Sequence, residues 1–154
     1  MKNTISFNTK FGWISATETN DKITIIQFSK RKNEGFVSKN LKNLKKNLFL
    51  YFNGKLKKID VPILITGKSI QKKIWHELRK IPIGKTKSYG EIAKKLNVSP
   101  RYVGRVCGEN KHALIIPCHR VIKSDGSIGG FSASSGIKLK KKLLKFERLA
   151  GLIH

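Results

Sequence analysis

Acidic residues are scarce in this chain: 9 Asp and Glu stand against 33 Lys and Arg in 154 residues, a formal charge of +24. Such a surplus creates a long-range field that attracts polyanions. Nucleic acid is the expected partner, because its backbone charge supplies most non-specific affinity of this kind, and a membrane surface is the rival. Long apolar runs are missing as well. No stretch approaches the ~18 residues of a spanning helix, and no signal peptide opens the chain, so a cytoplasmic protein without membrane contact is expected. There are only 2 cysteines, Cys107 and Cys118. Without a secretory leader they read as reduced thiols rather than a disulfide. Tetrahedral structural zinc asks for four Cys or His ligands, and nothing before His76 can serve as one, so structural zinc is not expected. No internal repeat is visible, and the lysine-rich stretches carry apolar residues at helical spacing, the mark of solvated helix faces.

The 4 prolines and the turn residues divide what remains. Ile5–Thr9, Gly12–Thr17 and Ile23–Phe28 are rich in β-branched and aromatic residues and are separated by Gly12 and Asn20-Asp21, which predicts three strands. Leu41, Leu44, Leu48, Tyr51 and Phe52 recur at spacings of three and four and predict a helix ending near Asn53-Gly54. Val61-Pro62-Ile63 reads as an edge strand or extended linker, since proline has no place in a central strand. A boundary between about residues 55 and 68 separates an N-terminal α/β domain, 1–60, from a mostly helical domain, 68–154. The fold class is α+β.

In the second part Ile70, Ile74, Trp75 and Leu78 mark a helix that stops before Ile81-Pro82. Ser88-Tyr89-Gly90-Glu91 fits a capping box. Ser99-Pro100 signals another start, with serine as cap and proline at the first helical position. Two short helices joined by a tight turn form a helix-turn-helix pattern, whose second helix, Pro100–Cys107, would enter a DNA groove. Gly104 would permit close backbone approach. The same pattern also suits an ordinary helical hairpin. Ser124-Asp125-Gly126-Ser127 is a turn signal, Gly129-Gly130-Phe131-Ser132 a loop, and Ile137–Leu149 a last helix. On that helix Glu147 reads as a surface ion-pair partner.

The segment Ile115-Ile116-Pro117-Cys118-His119-Arg120-Val121 carries the chemistry. A thiol attacks as thiolate, and adjacent cationic groups lower its pKa from about 8.5 toward neutrality. His119 and Arg120 stand within two residues of Cys118. Against this, free cysteines usually pack as small buried hydrophobes, and in a strand Cys118 and His119 would point to opposite faces.

Pro117-Cys118-His119-Arg120-Val121 resembles the signature of the O6-alkylguanine-DNA alkyltransferases. Ser88–Ala93 is similar to the start of that family's helix-turn-helix, Arg101-Tyr102-Val103-Gly104 to its recognition helix, Gly108-Glu109-Asn110 to the run before its cysteine, and Gly130-Phe131-Ser132 to its substrate loop. The match covers about residues 68–150, while the N-terminal part resembles the family's RNase H-like layout only in outline. The resemblance implies a DNA repair protein that flips O6-alkylguanine, and O4-alkylthymine, out of duplex DNA and moves the alkyl group irreversibly to Cys118. It implies His119 as proton acceptor through a water and Glu147 as the carboxylate that orients the imidazole. Tyr89, Asn110, Val121 and Ser132 would hold the base. Ser88, Tyr102 and Gly104 would contact DNA, with Arg101 as the finger filling the vacated stack and the helix in the minor groove. The protein would act once, as a monomer, without cofactor. Two departures stand out: Asn110-Lys111-His112-Ala113 replaces the family's Asn-Pro-x-Pro turn, and the loop before the last helix is slightly longer. The competing readings are a non-catalytic lesion sensor of the kind that carries Trp in place of Cys118, a basic helix-turn-helix regulator, and a cysteine hydrolase.

Overall fold

The structure, a computed structural model, describes residues 1–128 and 136–152. The fold class is α+β, and the chain divides into two compact units: Met1–Ile65 with Lys111–Ile115, and Thr66–Asn110 with Ile116–His154.

The first unit begins with three antiparallel strands in the order β1-β2-β3: β1 (Lys2–Thr9), β2 (Gly12–Thr19) and β3 (Lys22–Gln27). Asn20 and Asp21, at φ 50° and 65°, form the two-residue β2–β3 turn. Asn and Asp tolerate this left-handed conformation, which matches the twist of paired strands. Helix α1 (Lys39–Phe52) starts where the Ser38 hydroxyl accepts the Leu41 N–H, and it buries Leu41, Leu44, Leu48, Tyr51 and Phe52. These are the residues whose spacing predicted it. One face of the sheet, with Ile5, Phe7, Ile14 and Ala16, is buried with them, and each of the larger side chains stabilises the unit by roughly 1.5–3 kcal/mol. Ile63 forms a single parallel bridge to Ile23, so the proline segment sits at an edge. Lys111–Ile115 returns to this unit. The Ile26 N–H donates to the Lys111 carbonyl at 2.8 Å, and His112 Nε2 lies 3.1 Å from the Ile23 carbonyl.

The second unit is built on helices α2 (Ser69–Arg79), α3 (Tyr89–Leu96), α4 (Pro100–Gly108) and α5 (Gly136–Leu152). Both predicted serine starts are present. Ser88 and Glu91 form a reciprocal capping box, and the Ser99 hydroxyl accepts the Tyr102 N–H with Pro100 in the first turn. Asn97, at φ 57°, ends α3. Ile74, Leu78, Val103 and Val106 are fully buried, and the Trp75 indole donates to the Val106 carbonyl at 3.2 Å. Two-residue strands β4 (Lys87–Ser88) and β5 (Val121–Ile122) pair in parallel. The Ser124–Ser127 turn is closed by the Lys123 N–H donating to the Ser127 carbonyl. The predicted Gly129–Ser132 loop lies outside the described residues.

Candidate active site

The cysteine segment is not a strand. Pro117, at φ −81° and ψ 64°, occupies the centre of a three-residue turn closed by the Cys118 N–H donating to the Ile116 carbonyl at 2.8 Å. Proline's ring already holds φ near that value. Cys118–Arg120 then form one turn of 3-10 helix, and the chain straightens into β5 at Val121. The objection from alternating strand faces therefore falls away, although the Cys118 and His119 side chains make no direct hydrogen bond to each other among the described residues.

Asn110 holds the thiol. Its side-chain amide nitrogen carries two N–H groups and donates to the Ile116 carbonyl at 2.8 Å and to Cys118 Sγ at 3.3 Å. One side chain thus clamps the backbone just before the cysteine and solvates the sulfur where water does not reach. The sequence argument that His119 and Arg120 depress the Cys118 pKa is overturned. Burial pushes the thiol up, and the Asn110 hydrogen bond and the Lys140 charge only partly offset it.

The reason is where the two neighbouring side chains point. Arg120 Nε and Nη2 donate to the two oxygens of Glu147 at 2.8 and 2.7 Å, and its Nη1 donates to the Ile81 carbonyl at 2.7 Å. His119 Nε2 stands 2.9 Å from Glu147 Oε2, the same oxygen that Arg120 Nη2 reaches. His119 and Glu147 are both 1 % exposed, which corrects the reading of Glu147 as a surface residue. Burial alone would raise the Glu147 carboxyl, but the charges of His119 and Arg120 outweigh it and hold the pKa at about 2.

Tyr89, the first residue of α3, is half-buried, and burial followed by the nearby Cys107 and Cys118 thiols pushes its pKa up to about 12. It stays protonated and able to donate. Lys140 of α5 is completely buried, its ammonium 3.3 Å from the Tyr89 hydroxyl and 5.6 Å from the ring centroid. Burial lowers its pKa while the two thiols raise it.

A family model, "6-O-methylguanine DNA methyltransferase, DNA binding domain", matches residues 69–149. The chain belongs to the 6-O-methylguanine DNA methyltransferase family. A methylated-DNA–protein-cysteine methyltransferase of Metallosphaera sedula is 36% identical over 144 residues, covering 92% of this chain and 90% of the relative. One of Methanosarcina acetivorans is 42% identical over 104 residues, or 66% and 65% of the two chains. Among solved structures, the Mycobacterium tuberculosis O6-methylguanine methyltransferase superposes with a TM-score of 0.86 at 29% identity, covering 97% of this chain and 94% of that one. The same enzyme in complex with DNA gives 0.84, with 96% and 93% covered.

Set beside the methyltransferase family's pattern, Cys118, His119, Glu147, Asn110 and Tyr89 all lie in the second unit. Val121 is fully buried in β5. Arg101 is exposed and Tyr102 half-buried on α4. The Ser88 oxygen is occupied by the Glu91 N–H at 3.0 Å, and a side chain on Gly104 would meet the Tyr89 ring at 3.8 Å. Ser132 lies outside the described residues. Arg120 and Lys140 were missed as site members. Arg120 stood in the motif as a supposed activator of the thiol. Lys140 was one lysine in a lysine-rich helix, and its only signal was position: one residue after the buried Leu139 and three before Leu143.

Proposed function

We propose that this chain repairs alkylated DNA by moving the alkyl group from guanine O6, and from thymine O4, to Cys118. The observation that carries the reading is a buried thiol held by Asn110 in a chain whose relatives are named methylated-DNA–protein-cysteine methyltransferases. A lesion inside a duplex must leave the stack before a thiol can reach it, at a cost of a few kcal/mol. α3, the Asn97–Ser99 turn and α4 are read as a helix-turn-helix lying on DNA, with exposed Arg101 filling the gap. The three strands and α1 of the first unit are read as an RNase H-like domain, 1–60, followed in sequence by the DNA-binding and transfer domain, 68–154.

In the reaction the Cys118 proton passes through a water to His119, whose cation is stabilised by Glu147, as in other triads. Arg120 fixes that carboxylate by donating to both of its oxygens. The sulfur lone pair forms the S–C bond as the O6–C bond breaks, and the electron pair goes to the departing base. The Lys140 ammonium donates to the Tyr89 oxygen, which leaves the Tyr89 O–H directed at the base, where negative charge develops. The thioether product has no route back to thiol.

The test is intact-mass measurement after incubation with an O6-methylguanine duplex. One adduct of about 14 Da on Cys118, absent from Cys118→Ala while that variant still binds the duplex, is the expected result. Tight binding without an adduct would leave a lesion sensor, and release of alkyl product without an adduct would leave a hydrolase.

A further inference from the structure

The first unit carries a surface that the transfer chemistry does not use. Its acids are confined to Glu18, Asp21, Glu34 and Asp60, and its lysines and arginines outnumber them more than three to one. On β2, Trp13 pairs with Asn8 across the strand and is 38% exposed. The Lys30 ammonium lies over its ring, 4.6 Å from the centroid. Lys30 opens the exposed run Lys30-Arg31-Lys32, and that run is tied along β1. The Ser6 hydroxyl donates to the Arg31 carbonyl at 2.6 Å and accepts the Arg31 N–H at 2.9 Å, while the Ser6 N–H donates to Asn33 Oδ1 at 3.0 Å. Lys10, on the turn that leads into β2, adds another exposed cation.

We propose that Trp13 and the Lys30–Lys32 run form a binding surface for a single-stranded nucleic-acid segment, with a base stacked on the indole and the cations on its phosphates. Consecutive cations alone would suit any polyanion. A large exposed ring beside them distinguishes the ligand, because duplex bases already stack on each other and present only edges, whereas an unpaired base offers a free π-face. Lys30 now covers the indole at a distance typical of a cation–π contact. A base taking that face releases the ammonium to the adjoining phosphate, so one exchange satisfies both groups. The surface is independent of the alkyl-transfer reading.

The test uses the full chain and a labelled oligo-dT, with binding measured at low and raised salt. Trp13→Ala should weaken oligo-dT binding at least about fivefold, the size of one base–aromatic stack, and the loss should persist at raised salt. Trp13→Phe should recover most of it. Binding to an unmodified duplex should change less than about twofold, and transfer from free O6-benzylguanine should not change. Replacing Lys30, Arg31 and Lys32 by Gln should flatten the salt dependence by roughly 0.7 for each phosphate no longer neutralised. Unchanged oligo-dT binding in Trp13→Ala, or an equal loss on oligo-dT and duplex, overturns the proposal. Should Trp13→Ala lower the melting temperature, emission decides: oligo-dT must quench fluorescence in the wild type that is missing from Trp13→Phe, and no such quenching overturns the proposal equally.

Discussion

Burial holds the Cys118 thiol above the ordinary cysteine range, for a reason visible atom by atom. The two basic side chains beside it in sequence face Glu147, which leaves burial to raise the thiol pKa. Labelling by iodoacetamide should therefore be slow at neutral pH and should keep rising well above the ~8.5 at which an exposed cysteine titrates. Asn110→Ala, which removes the donor to sulfur, should shift that profile higher still, and a midpoint at or below the free-cysteine value would contradict this. Glu147 has the opposite sign. Its folded pKa of about 2 lies below the usual carboxylate value of 4.5, so its stabilisation is complete above about pH 4.5 and is lost as pH falls from there toward 2. Glu147→Gln leaves Arg120 and His119 buried beside a neutral amide and should cost about 3–5 kcal/mol at pH 7. Urea titrations across pH should show the variant losing less stability than the wild type between about pH 5 and 3.

Among the elements, α4 separates a residue that caps it from one that its exposed side presents. Ser99 caps α4, and Ser99→Ala should cost about 1 kcal/mol by thermal or urea melts without altering transfer from a free base. Arg101, one residue into that helix and exposed, should behave otherwise. Arg101→Ala should slow transfer strongly on duplex DNA and only mildly on O6-benzylguanine, which needs no extrusion. Equal losses on both substrates would reassign Arg101 to the fold or the active site. Helix α5 contributes from its buried side, where Lys140 and Glu147 are seven residues, or about two turns, apart.

Taken as a whole, the molecule carries a formal charge of +24 and so a strong positive field. Alkyl transfer should plateau at about one equivalent per chain, because a thioether does not revert to a thiol. Linear release over many equivalents would point to hydrolysis. No helix among the described residues is long and apolar enough to cross a membrane. Between the two units the chain passes from the second to the first and back. Lys111–Ile115 pairs with β3 and holds Leu114 at φ 73°, a conformation that costs a non-glycine residue energy. The sequence has no proline in that stretch and carried no mark of the excursion.

By itself the sequence determined whatever depends on near neighbours. Helix α1 follows from a leucine repeat, both short helices from their serine caps, the β2–β3 turn from Asn20-Asp21, and the family resemblance from Pro117–Val121 with its flanking runs. Each is settled by contacts within a few residues, where spacing and chemistry act directly. Tertiary structure decided how the charges pair. Arg120 turns away from the thiol toward a carboxylate 27 residues later, and a lysine on a basic helix becomes the buried partner of a tyrosine 51 residues earlier. Burial then converts those pairings into pKa shifts, raising the thiol that its neighbours in sequence would have lowered. The energy of a charge depends on the water removed around it, and only the folded chain says which groups lose their water.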